Sequence, residues 1–91
     1  MILPVVRYIF PEPWTEIVGQ LLGIELKAEC IYLMVYDSRA NIQYILNFSS
    51  NSKAGEILQN VSRDFIGCII AVLFTDAPTR PIAMRIVEQK E

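Results

Sequence analysis

The chain has 91 residues, 53% of them hydrophobic, and a formal net charge of −2 from eight basic and ten acidic side chains. That length supports a single domain, residues 1–91, near the lower size limit for a core that stands alone. The scattered cations exclude strong attraction to a phosphate backbone, and the lack of any histidine excludes nucleophile–histidine catalysis and the usual zinc sites.

Val5 to Phe10 is β-branched and aromatic and ends at Pro11, which predicts a first strand. Glu12 and Pro13 open an expected helix, because proline is tolerated in a first turn. Trp14, Ile17, Val18, Leu21 and Leu22 then supply an apolar stripe at helical spacing, closed by Gly23. From Glu25 to Tyr36 charged and apolar residues alternate at first, and beyond Ile31 both faces are apolar, so a strand is expected that ends covered on two sides. Asp37 to Asn41 has turn composition, and Ile42 to Ser49 returns as the second arm of a hairpin.

Ser52 is the expected N-cap of a second helix, whose stripe runs through Ala54, Ile57, Leu58, Val61 and Phe65. Ile66 to Phe74 carries no charge and no strong polar group, which at that length predicts a strand buried on both faces. Thr75 to Pro81 is a turn stiffened by two prolines. Ile82 to Val87 forms a last strand, and Glu88 to Glu91 a charged tail.

The expected fold class is therefore α+β, an antiparallel sheet with two helices on one face in the order β-α-β-β-α-β-β. The first six elements resemble the split βαβ pattern of ferredoxin-like domains, with an extra strand. The alternative is a profilin-, longin- or roadblock-like arrangement. RNA-binding domains of the RRM type share the first six elements, but Asn41 to Phe48 lacks the basic residue and the glycine of their stacking strand. No nucleic acid is expected.

Two helices can cover only one sheet face. Ile31, Leu33, Val35 and Ile45 share a parity within their own strands and are expected to be left for a partner, which makes them the candidate interface of a homodimer. Two other sites are weak. Glu25 and Glu29 lie about 13 Å apart along a strand, too far to act together. Asp37 and Arg39 suit turn chemistry. No GxGxxG or GxxxxGK-Ser/Thr pattern occurs, so no cofactor is expected.

Cys30 and Cys68 sit in apolar contexts and read as reduced thiols, which suits the cytoplasm. Met1 to Phe10 is interrupted by Pro4 and Arg7 and does not read as a targeting segment, and no uncharged run is long enough to span a bilayer. The expected function is a small non-catalytic association module: a homodimeric scaffold or regulatory accessory protein, with a protein partner and no membrane. The alternatives are a small-molecule binder with a pocket between sheet and helices, and a small enzyme using Asp, Glu, Arg and Tyr.

Overall fold

A single twelve-residue strand organises the molecule. The computed structural model describes residues 2–10 and 12–90. In chain order it has β1 (Val5–Ile9), β2 (Glu16–Lys27), β3 (Cys30–Asp37), β4 (Ile42–Ser49), α1 (Lys53–Gln59), a 3-10 turn at Arg63–Phe65, β5 (Ile69–Phe74) and β6 (Ile82–Glu88). These strands form one sheet in the order β1-β4-β3-β2-β5-β6. Every pairing is antiparallel except β1 with β4, which is parallel.

This corrects the expected α+β class with two helices. The fold is a mixed sheet with one helix among the described residues, and neither the ferredoxin-like order nor the profilin-, longin- or roadblock-like alternative applies. The error lies at residues 14–22, where the apolar pattern fits two periods. Ile17 and Leu21 share a face in a helix and in a strand alike. The observed burial alternates, with Ile17, Gly19 and Leu21 inward against Glu16, Val18 and Gln20. Two glycines, each worth about 1 kcal/mol against a helix interior, tip the choice toward extended chain. Gly19 is also required by packing: a Cβ there would run into the Tyr36 carbonyl on β3. Trp14, expected in a first helical turn, has φ 67°, a left-handed conformation in which no helix can start.

Strand β2 pairs with β3 along one side and β5 along the other, and is irregular between Leu21 and Gly23. That break lets the long strand bend and serve two halves of the sheet. The bend has a measurable consequence. Phe48 aligns through Ile31 with Leu26, whereas Phe74 accepts its place beside Thr15 at the other end of β2. In a flat sheet those levels lie on the order of 35 Å apart. Yet the two rings stack with centroids 6.3 Å apart and planes at 24°. The sheet therefore coils until its concave face closes on itself. That face is the core, with Leu21, Leu33, Val35, Leu46, Ile70 and Val72 fully buried.

The helix α1 carries the chain from β4 across to β5. Ser52 caps it as expected, its hydroxyl accepting from the Gly55 N–H at 3.0 Å. It is shorter than the stripe suggested: Ser62 accepts from the Asp64 N–H and starts the 3-10 turn, so Val61 and Phe65 pack on the core from outside α1. The following strand begins at Ile69 rather than Ile66, and no helix among the described residues is long and apolar enough to cross a membrane.

Candidate functional site

The four candidate interface residues do not share a surface. Ile31, Leu33 and Val35 line the concave core at 2%, 0% and 0% exposure, already covered by the chain itself. Ile45 is half-buried and lies on the convex side, opposite Met34 and beside Tyr8. The reason is register. Leu33 pairs with Leu46 and Met34 with Ile45, so the faces of β3 and β4 match odd with even positions. Sequence parity within one strand does not fix that match, and a one-residue change reverses it. Tyr32, Met34 and Tyr36, the other parity of β3, line the convex side with Ile45.

The unclaimed apolar surface lies elsewhere. Most of the large hydrophobic side chains left exposed belong to the first fourteen residues, including Val5, Val6, Tyr8 and Phe10. Phe10 is 93% exposed, Tyr8 74% and Trp14 66%. Within β1 only Ile9 packs against the core. A signal for this was present in the sequence: the six residues between Pro4 and Pro11 are apolar or aromatic at every position but Arg7, on both parities, yet an edge position can bury few of them.

Asn41 docks this strand. Its φ of 53° is one of the few left-handed positions outside glycine, and asparagine tolerates that conformation. The Val5 N–H donates to the Asn41 carbonyl at 3.0 Å, and the Asn41 amide donates to the Leu3 carbonyl at 3.4 Å. The Tyr36 hydroxyl, donating to Asn41 Oδ1 at 2.8 Å, orients that amide. The tight turn before Asn41 is held by Asp37 Oδ1, which accepts from the Arg39 N–H at 3.0 Å. So Asp37 and Asn41 do structural work for the hairpin and for the start of β1.

Three depressions bear on ligand binding. The space between sheet and helix, near Ile24, Ile31 and Leu58, holds about 170 Å³, below the roughly 300 Å³ at which ligand pockets begin. An open depression of about 550 Å³ is lined by Glu16, Gln20, Tyr36, Asp37, Arg39 and Glu88. A third, about 330 Å³, lies on the convex face among Tyr8, Tyr32, Met34, Ile45, Glu25 and Lys27. Among the described residues no three potential metal ligands cluster, and both cysteines are free. Comparison with protein-family models, curated proteins and solved structures finds no significant match to this chain.

Proposed function

We propose that this chain is a small, non-catalytic protein-association module whose contact surface is its N-terminal strand. One observation carries the reading: β1 is hydrogen-bonded into the sheet yet leaves Val5, Val6 and Tyr8 exposed, with Phe10 and Trp14 following. Large apolar side chains left in water along an edge strand are costly, and such exposure is characteristic of contact sites. The free thiols of Cys30 and Cys68 favour a reducing compartment such as the cytoplasm. Native mass spectrometry of the full chain tests the reading. Assemblies of more than one protein subunit are expected; a monomer carrying a small molecule would replace it with the ligand-binding alternative.

A second reading rests on the convex face. From β2 to β6 the chain runs as a meander, a crossover helix and a hairpin, the layout of OB-type barrels, and Tyr8, Tyr32 and Tyr36 stand on that side. Such a likeness concerns layout alone. Stacking of a single-stranded oligomer on rings also wants a basic groove, and here Lys27 stands beside Glu25. Fluorescence anisotropy with a labelled oligonucleotide at low salt decides it: saturable binding favours this reading, and its absence leaves association first.

A further inference from the structure

We propose that the occupant of the β1 edge is a second copy of this chain, paired antiparallel, β1 against β1, with the twofold axis at Tyr8. The inference rests on the association reading above and adds its partner, orientation and register.

The backbone sets which groups are free. Val5 donates its N–H to Asn41 on β4, and β1 runs parallel to β4 from Val5↔Ile42 to Ile9↔Leu46. In a parallel pair the N–H and C=O of one residue point to the same side, and the side alternates along the strand. Val5, Arg7 and Ile9 thus turn their backbone groups to β4. Val6 and Tyr8, and Phe10 one step on, turn theirs to the open edge. These are strong hydrogen-bonding groups with no neighbouring strand.

Three symmetric registers give both Val6 and Tyr8 a partner within residues 4–10 of the other copy. Centring on Val6 places Pro4 opposite Tyr8 of the other copy, and proline has no N–H to give. Centring on Arg7 sets the two guanidinium groups directly opposite each other, a repulsive pair, and again uses Pro4, now against Phe10. Centring on Tyr8 has neither defect. Tyr8 faces Tyr8, Val6 faces Phe10, and Arg7 faces Ile9. Every residue at a hydrogen-bonding position then owns a donor, and each pair exchanges both bonds. The hydrogen-bonded pairs, Tyr8 with Tyr8 and Val6 with Phe10, are aromatic with aromatic and aromatic with β-branched, favourable cross-strand combinations, and Arg7 beside Ile9 meets no like charge.

The edge also carries apolar side chains for a partner to cover. Val6, Tyr8 and Phe10, at 48%, 74% and 93% exposure, flank the open edge on one side and Val5, at 56%, on the other, so apolar area lies beside the paired backbone on both faces. A twofold contact of this kind also closes at two copies, because each β1 edge is used by the other, and the edges that remain are the two β6 strands with Arg85 and Glu88 exposed.

Charge complementation tests the register. Val6→Lys and Phe10→Glu each place a charge on an exposed position, so both should fold as the parent does by circular dichroism. In sedimentation equilibrium the parent should be a dimer at micromolar concentration. Each single variant should weaken that dimer at least tenfold. The double variant Val6→Lys/Phe10→Glu should recover most of the loss, because each lysine then faces a glutamate of the other copy. A parent that stays monomeric at about 100 µM would overturn both this proposal and self-association. Single variants that dimerise as well as the parent would overturn the β1 edge. Single variants that dissociate without recovery in the double would overturn the Tyr8 register while leaving association through β1 standing.

Discussion

Strands β1 and β6 both border the sheet, and they are held to it by different means. In β6, Ile82 is 2% exposed and Met84 and Ile86 pack on the core, while Arg85 and Glu88 face solvent. That edge is tied down by side chains and guarded by charge, as natural sheets commonly protect an edge. In β1 the attachment is backbone hydrogen bonding to β4 plus one side chain, Ile9, and the exposed positions are apolar apart from Arg7. The difference teaches that pairing into a sheet and belonging to its core are separate properties. β6 completes the fold. β1 is presented by the fold.

The largest expected effect lies between the two edges, at Leu33. Leu33→Glu buries a carboxylate in the closed core, a cost on the scale of the whole stability of a domain this size. The variant should be unfolded by circular dichroism at 25 °C; a folded variant would mean the core is open and the contrast between edges misjudged. Next comes the anchored edge. Ile82→Ala should lower unfolding free energy by about 2–5 kcal/mol through lost transfer energy and the cavity left, measured by urea denaturation. A loss below about 1 kcal/mol would place β6 on the same footing as β1. Asn41→Ala should cost less, about 1–2 kcal/mol, since it forces alanine into a left-handed conformation and removes the amide that holds Leu3. Its loss should fall mainly on β1, with the β5–β6 pair unaffected in hydrogen exchange.

The parts of the fold legible in sequence were those set by local chemistry. The hairpin around Asp37 to Asn41, the Ser52 cap and the final strand from Ile82 follow from turn residues, a capping hydroxyl and period-two alternation. Residues 14–22 were not legible, because Ile17 and Leu21 satisfy both periods and the deciding contact, Gly19 against Tyr36, spans seventeen positions and joins two strands. Strand order was equally hidden: nothing local tells β1 to lie parallel to β4. The candidate interface failed for a related reason. Ile31, Leu33 and Val35 were correctly read as one apolar row, but a row seeks cover, and a coiled sheet supplies it from within. The exposed surface was written in Val5, Tyr8, Phe10 and Trp14, residues whose types alone are indistinguishable from core.

The smallest effect sharpens the contrast most, because it is read residue by residue inside β1. If Val5, Arg7 and Ile9 donate to β4 while Val6 and Tyr8 point outward, a dissociated chain should show alternating amide protection: slow, fast, slow, fast, slow. A strand held by core packing on both sides, as at β5, should show no such alternation. Protection at Arg7 in the isolated chain should stay modest, since β1 can open locally without exposing Leu46 or the rest of the core. Hydrogen exchange followed by NMR gives this pattern directly, with the Val6→Lys chain serving as the dissociated state. In the associated parent, Val6, Tyr8 and Phe10 should gain protection together, and stability of the subunit should change by no more than about 0.5 kcal/mol in the lysine variant. Uniform protection along β1 in the dissociated chain would mean its outer groups are already satisfied within one copy, and the edge would then have nothing to offer a partner.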